Sequence, residues 1–467
     1  MLVVVLVAPL RPAIAACVGD CGGDGVVTVA DLIAAVNISL GNAALSTCVS
    51  ADANGDGQVT VSELIQAVTA SLQGCSAPTI TPSPPSTPTA TEAASPTNTL
   101  SATPTVTMAP TETGTPLDCD ATGVICTVAG TGKAQFDGDG RAALDTSLYY
   151  PIALQFDASG RLLIMDWNNL RLRRVETDGT IVTLMGTGEE DFPVDGALAV
   201  DTPLHHANDM QFDAAGNLYV AGDHVPLVFL VDVAQRVHLV AGTDDYGYSG
   251  DGGPALAAEL STPIGVLPDA NGGVYIGDVD ANVVRYVDAA GIIHTAAGTG
   301  DQGFSGDGGP AIGAQLAGPA RLQFGPDGDL YFVETKNQVV RRLHRDGTIS
   351  TVAGTGGVRG YAGDGAAATA ALLDTPYDLR FAPNGNLYIV DQGNNVIRRV
   401  DGAGTITTVV GDGQMRFAGD GGAAVSASLK RPSGLLFGSD GALLIADTAN
   451  QRVRRVSRFL QSIRGAG

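Results

Sequence analysis

Between residues 119 and 460, short apolar runs alternate with turn residues in a pattern that recurs six times. One unit shows the rule. Asp378–Ala382, Leu387–Val390, Val396–Val400 and Ile406–Val410 are runs of four or five mostly apolar residues, separated by Pro-Asn-Gly-Asn, Gln-Gly-Asn-Asn and Gly-Ala-Gly-Thr. Runs of that length bounded by Gly and Asn predict strands joined by tight turns. The glycine that follows each closing run falls at Gly130, Gly186, Gly242, Gly298, Gly354 and Gly411, a period of 56 residues with one step of 57. Four antiparallel strands per period, taken six times, predict a six-bladed β-propeller.

The order of the runs predicts closure. The sixth unit has runs at Leu435–Phe437, Leu443–Ala446 and Val453–Val456, and no closing run follows it. A matching run, Ile125 to Gly130, stands ahead of the first unit instead. Placed in the last blade, this N-terminal strand removes the open edge that a linear array would expose. The expected fold is therefore all-β over 119–460, with 461–467 as a tail.

The pattern before the array is different. Leu64, Ile65, Val68 and Leu72 have helical spacing and follow an acidic loop. In that loop Asp52, Asn54 and Asp56 hold positions 1, 3 and 5 of a calcium loop. Gly57 permits the sharp turn, Gln58 offers its carbonyl, Thr60 holds position 9, and Glu63 can bind through both oxygens. A copy lies 32 residues earlier, with Asp20, Asp24, Val26 and Asp31 as ligands and Gly22 in place of a side-chain ligand. The expectation for 17–75 is a small α-helical domain holding Ca2+, weaker in the first loop, with Val59 entering its core. Residues 76–118 are nearly all Thr, Pro, Ser and Ala, and predict a disordered spacer.

Leu2 to Leu10 form an apolar run too short to span a bilayer, and Ala13-Ile14-Ala15 resembles a cleavage site. Residues 1–16 thus read as a secretion signal, and the protein as secreted or at the cell surface. A lipidated Cys17 is the rival reading, but it would strand one of six cysteines. Within 17–75 three pairings are open, of which Cys17–Cys75 with Cys21–Cys48 joins the domain's ends. Cys119 and Cys126 are spaced to clip a short loop. With 49 acidic against 26 basic residues the net charge is −23, which argues against nucleic acid and anionic membranes as partners.

Two loop-then-helix units in under 60 residues resemble the dockerin family. That resemblance implies two bound calcium ions and a cohesin-like partner. At loop positions 10 and 11, where dockerins often carry Ser and Thr, this chain has Val29-Ala30 and Val61-Ser62. The array, with its "GDGGPA" loops and its "GNLYI.D..NN.IRRV" and "TVAGTG" runs, resembles NHL-repeat propellers, and its loops look like those of teneurins. NHL propellers are mostly binding platforms for protein, RNA or glycan, and a minority are enzymes. The resemblance implies a protein or glycan ligand at one face.

Repetition sorts the remaining candidates. A loop acid recurs in every unit as Asp139, Asp195, Asp251, Asp307, Asp364 and Asp420, which suits a turn cap better than an active site. The second run ends in Asp166, Asp278, Glu334, Asp391 and Asp447, and the third carries Arg173, Arg285, Arg341, Arg398 and Arg454. Unit two has Gly222 and Phe229 there, and this joint loss predicts an ion pair within each blade. Near the channel mouth the copies read Ala153, Asp209, Gly265, Arg321, Asp378 and Gly434, so Asp209, Arg321 and Asp378 are candidates for ligand binding. Unit two adds His205, His206, Asp223 and His224, a candidate metal or acid–base site for a lyase or hydrolase. No nucleophile motif, P-loop or dinucleotide fingerprint is present. A binding platform is the first expectation, a propeller enzyme at the blade 2 mouth the second, and a cell-surface scaffold the third.

Overall fold

The computed structural model describes residues 21, 27–39, 46, 48–52, 59, 67, 118–222, 224 and 226–462. Two compact units are present, Met1–Ala109 and Pro110–Gly467. No helix among the described residues is long and apolar enough to cross a membrane.

In the first unit a helix spans Val29–Ser39. Thr28 and Asp31 start it with a capping box: the Asp31 carboxylate accepts from the Thr28 N–H at 2.8 Å, and the Asp31 N–H donates to the Thr28 hydroxyl at 3.4 Å. Ala35, Cys48, Ala51 and Val59 form a small buried cluster, and Cys21 is bonded to Cys48. Asn54, Asp56, Gln58, Thr60, Glu63, Asp20, Asp24 and Val26 lie outside the described residues, as do Cys17, Cys75 and most of the expected second helix.

The second unit is a ring of six antiparallel sheets. In blade 5 the strands are Pro376–Phe381, Leu387–Asp391, Val396–Val400 and Ile406–Val410. The first begins two residues before the apolar run because its leading proline still pairs with Asp391. Apolar side chains fill the space between neighbouring blades. Ile152 and Met165 of blade 1 meet Met210 and Val220 of blade 2, and Tyr388 and Val390 of blade 5 meet Leu435 and Ile445 of blade 6.

The ring closes as the order of runs requires. Val124–Ala129 lies against Arg452–Val456, with Ile125 opposite Val456 and Thr127 opposite Arg454. The Cys119–Cys126 disulfide clips the incoming chain, and the Ser457 hydroxyl donates to the Cys119 carbonyl.

The repeated glycine has a steric cause. At Gly298 φ is +98°, and a Cβ would stand 2.5 Å from the Asn282 carbonyl oxygen. The same approach recurs at Gly130, Gly186, Gly242, Gly354 and Gly411, just past the bulge between the third and fourth strands. Any side chain here would both strain the backbone and strike a neighbouring carbonyl.

Candidate functional site

The regular acid and arginine columns form one buried network in each blade but the second. Arg341 is fully buried and joins two carboxylates: its Nη1 meets Glu334 at 2.9 Å and its Nη2 meets the loop acid Asp307 at 2.8 Å. Arg173, Arg398 and Arg454 repeat this with Asp166 and Asp139, Asp391 and Asp364, and Asp447 and Asp420. Arg285 holds Asp251 at 2.7 Å. A loop aromatic lies over each guanidinium, as Phe304 does over Arg341 at 5.1 Å. Burial pushes the Asp447 carboxyl up to about 6, and the Asn450 amide, the Lys430 N–H and Arg454 hold it from rising further. Blade 2 keeps only the loop acid, where Asp195 accepts from the Leu239 N–H at 3.0 Å. These columns are structural. His238, His294 and His344 likewise face Asp232, Asp288 and Asp329 of their own blades.

Asp209, Arg321 and Asp378 do converge, but as a buried layer across the axis. Arg321 Nη1 stands 3.7 Å from Asp209 and 3.8 Å from Asp378, and all three are at most 2 % exposed. Arg321 also donates to the Ile152 carbonyl at 3.2 Å and to that of Asn208. Each carboxylate is held by backbone N–H groups of its own and the next blade: Asp209 by Met210 and Val266, Asp378 by Leu379 and Leu435. Burial pushes the Asp209 carboxyl above its usual range, against the pull of Arg321 and Arg380. Arg380, which sequence reasoning missed, stands 3.8 Å from Asp378 and balances the second acid. The layer therefore closes the channel.

Over it lies a cavity of about 330 Å³, lined in part by Tyr150, Trp167, Asn208, Tyr377, Gln392 and Arg431. Tyr377 links cavity and plug, with its ring 5.5 Å from the Arg321 guanidinium and its hydroxyl donating to Asn208 Oδ1 at 3.0 Å. Tyr150, His206, Thr375 and Arg431 occupy matching places before the inner strands, all with φ between +42° and +55°. Positive φ in bulky residues marks backbone held by its surroundings. The cavity sits off centre, against blades 1, 2, 5 and 6.

The blade 2 histidines meet beside this cavity. The ring centroids of His206 and His224 are 4.4 Å apart, and those of His205 and His206 are 5.0 Å apart. A nitrogen from each of the three lies within 4.8 Å of the others. Trp167 packs on His206 at 4.3 Å. Burial, then the neighbouring His224 and His205, pull the His206 pKa down to about 4, so its imidazole is neutral at physiological pH. Asp209 belongs to the axial layer and Asp223 lies outside the described residues. Trp167 was missed because its column reads as an ordinary turn; its being the chain's single tryptophan was the available signal.

The fold and its repeats define a six-bladed NHL-type propeller. Residues 123–303 match the family model described as the Teneurin NHL domain. Teneurin-1 of Gallus gallus is 28% identical over 376 residues, covering 72% of this chain and 14% of that protein. Teneurin-4 of Mus musculus is 29% identical over 349 residues, covering 67% and 12%. The chain thus spans about one-seventh of the length of the curated teneurins it matches. An auxiliary nutrient binding protein from Bacteroides ovatus shares the fold at 16% identity, with a TM-score of 0.53 over 72% of this chain and 76% of that one.

Proposed function

We propose that the chain is an exported protein of two modules, a calcium-loop domain at 17–75 and an NHL propeller that binds a protein or glycan ligand at its mouth. The observation that carries the propeller reading is the off-centre cavity. Aromatic faces at Tyr150, Trp167 and Tyr377 offer flat apolar contact, while Asn208, Gln392 and Arg431 offer hydrogen bonds, the mixture that concave ligand sites use. The plug beneath it favours a ligand seated on the mouth over one threaded through the ring. A glycan and peptide array probed with the whole protein tests this. Specific capture abolished by Tyr377→Ala with Arg431→Ala supports the reading, and an array without capture refutes it.

Calcium binding rests on the ligand spacing from Asp52 to Glu63, and the helix that starts at Val29, position 10 of the first loop, fits the same plan. Calorimetric titration should lose a site in Asp52→Ala with Glu63→Ala, and an unchanged isotherm rejects the assignment. A dockerin-like module would take a cohesin-like partner, which a cohesin pull-down checks. Disulfides Cys21–Cys48 and Cys119–Cys126 support export, since such bonds persist in oxidising compartments.

A second reading, a lyase or hydrolase at the blade 2 mouth, is favoured by the meeting of three histidines. It must do without Asp209 as a base, because Arg321 and two backbone N–H groups already engage that carboxylate.

A further inference from the structure

We propose that His205, His206 and His224 bind one divalent first-row transition ion of the zinc and copper class, leaving at least one coordination position open. This deepens the second reading without requiring turnover: a protein that binds the ion and catalyses nothing keeps the site and loses the enzyme.

The geometry is close to what such an ion needs. Bonds of about 2.0–2.1 Å in a tetrahedron set ligand nitrogens roughly 3.4 Å apart. The three nitrogens already lie within 4.8 Å of one another, and neither His205 nor His224 is fully buried. Three protein ligands leave the fourth tetrahedral position to water or to a ligand atom. Imidazole nitrogens without thiolate or carboxylate suit zinc, copper and nickel rather than calcium or magnesium. The site is therefore different in kind from the oxygen-rich loops near the N-terminus.

Blade 2 is built differently at this point, and the difference brings the histidines together. In other blades the second strand ends in a carboxylate that accepts from the loop before the inner strand, as Asp166 accepts from the Tyr149 N–H at 2.7 Å. Here the residue is Gly222, which has no carboxylate to offer that loop. A Cβ on Gly222 would lie 3.1 Å from the His206 carbonyl oxygen and 3.2 Å from that of His205. The backbone of His205 and His206 thus runs against the glycine, and His224 follows it two residues on.

An independent observation points to a ligand. His206 Nδ1 is buried without a hydrogen-bond partner among the described residues. Buried polar atoms of that kind call for an explanation, and a bound ion is a standard one.

Trp167 makes the test direct, because it is the chain's single tryptophan and its ring lies 4.3 Å from that of His206. Tag-free, full-length protein stripped by a chelator is titrated with Cu²⁺ while indole emission is followed. The expected result is saturable quenching at one equivalent, reversed by EDTA and competed by Zn²⁺ but not by Ca²⁺. His205→Gln with His224→Gln should weaken the midpoint by at least about a hundredfold while leaving the thermal melt of the metal-free protein in place. If that pair fails to fold, His224→Gln alone, at an exposed position, serves instead. Quenching that never saturates, or that survives these substitutions, overturns the proposal and leaves a stack of imidazoles on an indole.

Discussion

Arg321 of blade 4 reaches across the propeller axis to Asp209 of blade 2, Nη1 to Oδ1 3.7 Å, with Asp378 of blade 5 on its other side at 3.8 Å. Two acids, Arg321 and Arg380 leave this buried layer electrically balanced, so one guanidinium cannot be removed alone. Arg321→Met should cost about 3–5 kcal/mol, since it strands buried carboxylates. Adding Asp209→Asn should recover much of that loss, because Asp378 then keeps Arg380 as its counter-charge. Urea unfolding of the single and double variants measures both. A single variant within 1 kcal/mol of the parent, as for a surface pair, rejects the plug as a structural element.

Closure by Val124–Ala129 gives a second prediction. Ile125 is fully buried between blades 5 and 6. Ile125→Ala should cost about 2–5 kcal/mol, and deleting 119–130 should lower the melting temperature further, because blade 6 then exposes an edge. Calorimetry of both variants decides this; a deletion that melts with the parent protein contradicts closure as a source of stability.

The period of 56 residues made the ring readable, because each copy repeats the same four strands and their turns. Closure was readable too, from one run missing at the end and one extra at the start. The arginine network was half readable. The loss of Gly222 and Phe229's counterparts as a pair marked the partnership of Arg with the second-strand acid, but the loop acid's share in the same guanidinium required the folded loop. The aromatic three residues ahead of each loop acid, Phe304 before Asp307 for instance, is visible in the chain, and only its seat over Arg341 explains it. Asp209, Arg321 and Asp378 stood out by breaking symmetry. That they are buried did not, since burial depends on the neighbours Asn208, Tyr377 and Arg380.

The repeated glycine separates backbone strain from collision. Gly291 has φ of +78° and open space around its missing Cβ, whereas Gly298 has φ of +98° and the Asn282 carbonyl at 2.5 Å. Gly291→Ala should therefore cost only about 1–2 kcal/mol for the left-handed backbone, and Gly298→Ala clearly more, because the bulge must also move. Paired chemical denaturation compares them directly. Equal losses at both sites exclude the steric account of the repeat.

Gly222→Ala tests how blade 2 holds its histidines without touching any of them. The new methyl would press on the carbonyl oxygens of His206 and His205 at 3.1 and 3.2 Å, and on the Ala207 Cα at 3.3 Å, distances that a shift of a few tenths of an ångström relieves. Such a shift is confined to the loop before the inner strand of blade 2, and it moves two of three ligands relative to the third. The expected outcome is a melting temperature within a few degrees of the parent, corresponding to about 1 kcal/mol, together with a clear loss of copper-dependent quenching of Trp167. Intact quenching in a well-folded Gly222→Ala protein means that the glycine does not set the histidine geometry, and the missing acid of blade 2 then needs another cause.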